Sequence, residues 1–380
     1  MRVGQILGSV SRRNTGVFEF ACALSRSIAA SGADVRVFGL RDADTDADAA
    51  RWAPLRPVVA RRVGPAFLEL APGLLPRVLE ADLEVLHAHG LWTMISVANL
   101  AWAARTGRPY VVSIHGMLTP QALRKSSLRK RVASAAYERR RLRGAGCVHA
   151  VGAHETRALR EQGVAAAVAE IPYGVDMPVL DGAAPRDRPT LLYLGRLAPL
   201  KGVESLIAGW IRARSLAPAR AADWRLVIGG WGEAGYETRL RRAADGEGSV
   251  VFAGPLFGPD REAAYRTAHA CVLPSLGEGM PMGVLEAWAR ARPVLMTDAC
   301  YLPAGFEAGA ALRVGEGADG VAAALVTLFA MSGADREEMG RRGRALVERL
   351  HSWPAVARQF LELYGWLAGG GPAPAAVVGR

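Results

Sequence analysis

The stretch Ala270-Cys271-Val272-Leu273-Pro274-Ser275-Leu276-Gly277-Glu278-Gly279-Met280-Pro281-Met282-Gly283-Val284-Leu285-Glu286-Ala287-Trp288 decides how this chain is read. Its apolar opening, 270–273, predicts a buried strand, and 282–291 a helix. Glu278 then lies in the strand-to-helix turn, where Gly279 and Pro281 shape the backbone. Glu286 lies about one turn into the helix, its side chain leaning back toward the N-terminus. Both carboxylates can face one cleft, where the unpaired N–H groups of the helix start also point. A helix start holds phosphate and carboxylates accept from hydroxyls. The ligand with both features is a nucleoside diphosphate carrying a sugar.

Outward from this stretch, short apolar runs alternate with helical patterns. Strands are expected at 191–194, 225–228, 250–252, 270–273 and 294–297, with helices near 202–214, 234–244, 260–268 and 282–291. Nearer the N-terminus, strands are expected at 2–7, 35–38, 85–88, 110–114 and 147–151. A helix from residue 17 and others at 93–105, 121–142 and 153–162 separate them. Such alternation implies parallel sheets covered on both faces. The Pro/Asp/Gly-rich stretch 172–189 divides the two series, so the expected fold class is α/β with two doubly wound, Rossmann-like domains, 1–175 and 176–352. Ligands of such sheets sit at the carboxyl ends of the strands, which puts the expected site in the cleft between domains. Helix 353–367 has an ordinary core-facing stripe and is assigned to packing only. The Gly/Pro/Ala-rich tail 369–380 is expected to be disordered.

Composition narrows the class. With 380 residues, 51% hydrophobic and 22% charged, the chain is large enough for two cores and has a soluble make-up. Lys and Arg number 47 against 36 Asp and Glu, a net +11 carried mostly by arginine. A basic surface suits nucleic acid, anionic lipid or a diphosphate, and charge alone does not choose. Cys22, Cys147, Cys271 and Cys300 show no CxxC spacing, and the first three fall in patterns that read as buried. They read as reduced thiols of a cytoplasmic protein. The run 3–7 reads as a strand rather than a signal peptide, and the run 321–331 is too short to span a bilayer.

Four further signals bear on function. Gly195-Arg196-Leu197 ends one strand and Lys201-Gly202 opens the next helix, which fixes two cations at the mouth of the sheet that carries Glu278 and Glu286. Alone they would be surface charges; beside the glutamates they can neutralise a diphosphate without metal. Gly230-Trp231-Gly232-Glu233-Ala234-Gly235 has the form of a dinucleotide fingerprint, but the next strand, 250–254, supplies no ribose-binding acid. A tight turn is the better reading. His87 and His89 share one strand face and read as locally hydrogen-bonded rather than metal-binding, whereas His115, at a strand's carboxyl end, reads as a substrate contact. Between 121 and 143 lie Arg124, Lys125, Arg129, Lys130, Arg131, Arg139, Arg140, Arg141 and Arg143 against a single acid, Glu138. This basic helix is either a solvated face or a surface for anionic lipid or a pyrophosphate-linked acceptor. Nucleic acid is disfavoured, since Tyr137 alone interleaves the charges.

These segments resemble glycosyltransferase family four, the retaining group with the two-domain GT-B fold. The matching residues are Leu194-Gly195-Arg196-Leu197, Lys201-Gly202, Val251 to Pro255, Leu273-Pro274-Ser275, Glu278-Gly279-Met280-Pro281, Glu286-Ala287 and Pro293-Val294. The first half adds Ser113 to Leu118, Ile171-Pro172, Gly174-Val175-Asp176, Gly8 and Gly16. The resemblance implies that Arg196 and Lys201 bind the donor diphosphate, that Glu278 bonds donor-sugar hydroxyls, and that Glu286 bonds the ribose. Gly279, Met280 and Pro281 would face sugar and phosphates, Gly195 the phosphates, Gly254-Pro255 the base, and His115 the transferred sugar. Gly16 belongs to a first glycine-rich loop that contacts phosphate or acceptor. A C-terminal helix, 353–368, would cross back onto the first domain. The chain departs from the family in having few glycines between Gly8 and Gly16, Tyr173 where Asn is frequent, and Gly116 rather than Asp after His115. The last feature suggests a subgroup that builds surface polysaccharides.

The expected activity is retaining transfer of a sugar from a nucleoside-diphosphate sugar to a glycan or lipid-linked glycan, with neither metal nor cofactor. The expected place is the cytoplasm, with possible contact at the inner face of the plasma membrane. An epimerase on the same fold and a non-catalytic basic lipid- or nucleic-acid-binding module remain alternatives.

Overall fold

The computed structural model describes residues 1–118, 120–124, 127–180 and 188–379, with the backbone alone at 120, 121 and 127. Lys125 of the expected basic helix, residues 181–187 of the expected linker and Arg380 of the tail lie outside the described residues. The chain forms two compact units, Met1–Gly174 with Trp353–Arg380, and Val175–Ser352.

In the first unit β1 (Arg2–Ser9), β2 (Asp34–Arg41), β3 (Val58–Arg61), β4 (Val85–His89), β5 (Tyr110–Ser113), β6 (Cys147–Ala150) and β7 (Val168–Glu170) run parallel in the order β7-β6-β5-β4-β1-β2-β3. Because side chains alternate along a strand, Ile6, Leu86, Val112 and Val148 enter one core while Val3, Leu7, Val85, Val111 and Cys147 enter the other. The helices Thr15–Ala30 and Trp353–Gly369 cover the second face through Phe20, Leu24, Val356 and Phe360. The tail departs from the expected disorder: Val377–Val378 pairs antiparallel with β7 and extends the sheet. Two β-branched residues suffice for this short edge pairing.

The basic stretch is not one helix. It forms Pro120–Arg124, Ser127–Ala133, a π-helical turn Ser134–Glu138, and Arg139–Gly144. Arg141 leaves the expected cationic surface and is fully buried, 2.8 Å from Glu138. The Asn99 amide oxygen, the Gly90 carbonyl and the Ser96 hydroxyl accept its other bonds, which is how a buried guanidinium is held.

The second unit has β8 (Thr190–Leu194), β9 (Arg225–Gly229), β10 (Val250–Gly254), β11 (Ala270–Leu273), β12 (Val294–Met296) and β13 (Ala311–Arg313), all parallel, in the order β10-β9-β8-β11-β12-β13. Strand order reverses between β8 and β11. A doubly wound sheet opens its ligand crevice at that switch point, beyond the carboxyl ends of the strands.

Candidate functional site

The two loops that flank this switch point are built against each other. After β8, Gly195 N–H donates to Gly229 O at 3.1 Å and Leu197 N–H to Trp231 O at 2.7 Å. Gly230 and Gly232 allow this contact, since a Cβ on either would lie 1.9 Å from Gly195 O or 2.1 Å from Leu197 O. The fingerprint-like glycines therefore serve a tight loop-on-loop turn. Gly202, at φ +67°, meets the loop after β11 in the same way, where a Cβ would stand 2.1 Å from Pro274 O. Leu276 N–H closes the clamp on Leu200 O at 2.8 Å.

Clamped loops bring Lys201 and Glu278 together. Lys201 Nζ lies 2.6 Å from Glu278 Oε1, and Ser275 Oγ donates to the same oxygen at 2.6 Å. Glu278 Oε2 has no protein donor among the described residues, so it remains open to accept from hydroxyls. Arg196 is exposed, with its carbonyl fixed by the Tyr193 hydroxyl at 2.8 Å. Its guanidinium has no hydrogen-bond or ion-pair partner among the described residues. Glu286 does not join this pair. Its carboxylate takes the Tyr265 hydroxyl at 2.9 Å and Arg261 Nη1 at 3.1 Å. A carboxylate with about four acceptor positions keeps some of them for a ligand. Gly254, at φ +70°, ends β10 with its carbonyl bonded to Gly230 N–H, and Pro255 follows. Gly279 is exposed, while the carbonyls of Met280 and Pro281 accept from Met282 and Val284 N–H, both at 2.9 Å, to start the helix Met282–Ala289. All four cysteines are free and buried. Burial pushes Cys22 up to about 11 and Cys147, Cys271 and Cys300 to about 12, so none is a ready nucleophile.

Gly16 and His115 lie in the first unit. Gly16 is exposed in the first turn of the helix Thr15–Ala30. The loop before it compensates for its missing glycines with polar ties: Ser11 Oγ to Asp42 Oδ2 at 2.7 Å, Arg12 N–H to Asp48 Oδ2 at 2.8 Å, and Arg13 to Asp44 at 2.5 Å. The alternating acids Asp42, Asp44, Asp46 and Asp48 were the visible signal for this anchor. At the neighbouring strand end Glu69 lays its carboxylate against Gly8, and burial pushes its pKa up.

His115 follows β5 in a left-handed turn, φ +48°, continued by Gly116 at +70°. Glu155 holds the turn, accepting from Gly116 N–H at 2.6 Å and Val151 N–H at 2.9 Å. His115 Nδ1 lies 2.5 Å from the Tyr173 hydroxyl and Nε2 lies 3.1 Å from His89 Nδ1. Both ring nitrogens are thus engaged within the protein. His87 and His89 are locally bonded as well, to Ser113, Tyr364 and Gln5. Tyr364, assigned to packing only, also carries a buried hydroxyl that bonds His87 at 2.6 Å.

Two doubly wound parallel-sheet units of this kind are the GT-B architecture. Residues 15–174 match the family model described as glycosyl transferase 4-like domain, and residues 188–331 match that described as glycosyl transferases group 1. The chain belongs to glycosyltransferase family four. Its relatives include D-inositol 3-phosphate glycosyltransferases of Salinispora tropica (31% identical over 179 residues, 46% of this chain and 37% of that protein) and Kineococcus radiotolerans (30% over 227 residues, 52% of each). The matches thus span about half or less of those relatives' length. Similar solved structures include sucrose-phosphate synthase from Thermosynechococcus elongatus (TM-score 0.69, 22% identity, 98% of this chain and 100% of that one). Another is Anabaena HepE in complex with UDP and glucose (TM-score 0.69, 18% identity, 95% and 98%). At these identities the structures establish the fold alone.

Proposed function

We propose that the chain transfers a sugar from a nucleoside-diphosphate sugar to a hydroxyl of a glycan or lipid-linked glycan, with retention of anomeric configuration. The observation that carries this reading is the Lys201–Glu278 pair at the switch point of the second sheet, in the same loop region as Arg196, whose guanidinium has no partner among the described residues. In this reading Arg196 and Lys201 take the diphosphate, Glu278 Oε2 takes sugar hydroxyls, and Glu286 takes the ribose. Negative charge grows on the departing diphosphate in the transition state, and two fixed cations with a helix start stabilise it without metal. The acceptor attacks on the face that the diphosphate leaves, and a diphosphate oxygen takes its proton. The UDP and UDP-glucose complexes of HepE support a nucleotide-sugar donor.

The acceptor's setting is proposed from the first unit. Arg124, Arg129, Arg131, Arg139, Arg140 and Arg143 are exposed, and Leu128 and Val132 beside them are 67% and 62% exposed. Cations around protruding aliphatic side chains suit an anionic lipid surface, which would hold the enzyme at the inner face of the plasma membrane. No single helix among the described residues is long and apolar enough to cross a membrane.

A panel of nucleotide sugars, scored by thermal stabilisation and by product analysis, tests the reading. Arg196→Ala is expected to keep its unfolding temperature and lose turnover by about a hundredfold or more. Glu278→Ala is expected to weaken use of the intact donor more than binding of the free nucleotide. Near-normal turnover of Arg196→Ala, or no response to any nucleotide, overturns the proposal. An isomerised donor formed without acceptor would make the chain an epimerase.

A further inference from the structure

Eight side chains in the first unit form one hydrogen-bonded chain that ends on a backbone carbonyl, and this carbonyl fixes every proton. His149 Nε2 lies 2.7 Å from the Ile171 carbonyl, which can only accept, so Nε2 carries hydrogen. In a neutral ring Nδ1 then accepts, and the Ser113 hydroxyl at 2.6 Å must donate to it. Ser113 has no second proton, so His87 Nε2, at 2.7 Å, donates to it. His87 Nδ1 accordingly accepts from the Tyr364 hydroxyl at 2.6 Å. The amide of Gln5 must donate to Tyr364 at 3.3 Å, which leaves its oxygen to accept from His89 Nε2 at 2.7 Å. His89 Nδ1 accepts from His115 Nε2 at 3.1 Å, and His115 Nδ1 accepts from the Tyr173 hydroxyl at 2.5 Å. No step allows a choice: all four imidazoles are the Nε2–H tautomer, and every hydrogen bond points from Tyr173 toward Ile171.

The premise of neutral rings follows from their surroundings. His87, His89 and His149 are buried, and Phe20 and Phe360 close the apolar side. Burial pushes His87, His89 and His115 well below the usual imidazole value, and His149 down to about 4. The charged and titratable groups that face the cluster are Tyr173, Tyr364, Glu155 at the Gly116 turn, and Arg141 through the Gly90 carbonyl. The cation opposes protonation of the rings, and Glu155 is occupied by two N–H groups.

We propose that Tyr173 is a positioning residue for glycosyl transfer: its hydroxyl caps His115 Nδ1, so a sugar at this strand end meets a neutral ring edge and the His115–Gly116 backbone, and no imidazole nitrogen takes part in proton transfer. The proposal rests on the transferase reading, and the first arm of its test does not. Nitrogen-15 spectra of the full chain with labelled histidine are expected to show His115, His87, His89 and His149 as neutral Nε2–H rings from pH 8 to pH 6. A His115 that is Nδ1-protonated or charged at pH 6 overturns the proposal. Tyr173→Phe uncovers Nδ1 without removing the His89 bond. The loss of one hydrogen bond is expected to raise the His115 titration midpoint by about one unit and to move the acid limb of the pH–rate profile with it, the donor KM changing less than the rate. Superimposable pH–rate profiles for the two proteins also overturn it. If no nucleotide sugar is turned over, the transferase reading fails while the tautomer spectrum still decides the proton order.

Discussion

Acidification from pH 7.5 to 5 should selectively destabilise the first unit, and the four-histidine chain sets the direction of the effect. Burial places the folded-state pKa of each ring below its unfolded-state value, which is about 6.5. The unfolded chain therefore takes up protons first. The stabilisation is intact above about pH 6.5 and is lost as pH falls. For His149, with a folded value of about 4, the loss continues to that pH, a total of about 3 kcal/mol. At pH 5 the His149 ring has lost about 2 kcal/mol, and His87, His89 and His115, pushed down by the same burial, add to the loss in the same direction. Glu155 and Glu69 work against this, since burial raises both, so the folded state gains protons there at lower pH. Hydrogen exchange of β4, β5 and β6 read by mass spectrometry at the two pH values measures the effect, with the second sheet as internal reference. His149→Gln should flatten the pH dependence by about one proton, or about 1.4 kcal/mol per pH unit. Equal protection of those strands at pH 7.5 and pH 5 would refute the reasoning.

Two substitutions examine how the loops and the buried ion pair are held. Gly202→Ala puts a Cβ 2.1 Å from Pro274 O at a left-handed position. It should destabilise the second unit by about 1–3 kcal/mol and weaken nucleotide binding by displacing Lys201, and an unchanged melting temperature would contradict the close approach. Glu138→Gln leaves the fully buried Arg141 without its counter-ion and should lose about 3–5 kcal/mol in urea unfolding. The double variant Glu138→Gln/Arg141→Met should regain part of that loss, and a double variant less stable than the single one would argue that the pair is not the controlling interaction.

The parts legible in the sequence are those set by local pattern. Runs such as 191–194 and 270–273 are apolar because a central parallel strand is buried on both faces, and the unbroken run shows it directly. The strands β3, β7 and β13 escaped because they lie at or beside a sheet edge, where a short run is less uniformly buried and apolar. The basic stretch read as one exposed helix because composition does not reveal which arginine turns inward, and Arg141 does so only because Glu138, Asn99 and Gly90 converge on it. In the site, the adjacency of Lys201 and Glu278 followed from two loops at one sheet mouth. The partners of Glu286 did not, since Tyr265 and Arg261 come from a different helix. Tyr364 is harder still: its ring follows the apolar stripe, and the stripe says nothing of where the hydroxyl points.

The loops beyond the two sheets meet the same constraint with different chemistry. A chain leaving a parallel strand must turn beside its neighbours, and backbone can approach backbone only where a side chain is missing or a side chain bridges the gap. The second unit takes the first route. Gly202, Gly230 and Gly232 let carbonyls approach to distances that a Cβ would forbid, and this leaves the charged groups of Arg196, Lys201 and Glu278 as the chemistry of the switch point. The first unit takes the second route between Gly8 and Gly16, where Ser11, Arg12 and Arg13 are tied to Asp42, Asp48 and Asp44. In the first loop Arg12 and Arg13 are taken up by carboxylates, whereas in the second Lys201 is paired and the Arg196 guanidinium has no partner among the described residues. With the anionic donor on the second unit, as proposed, Asp42→Asn or Asp48→Asn should leave the donor KM unchanged while loosening the helix Thr15–Ala30.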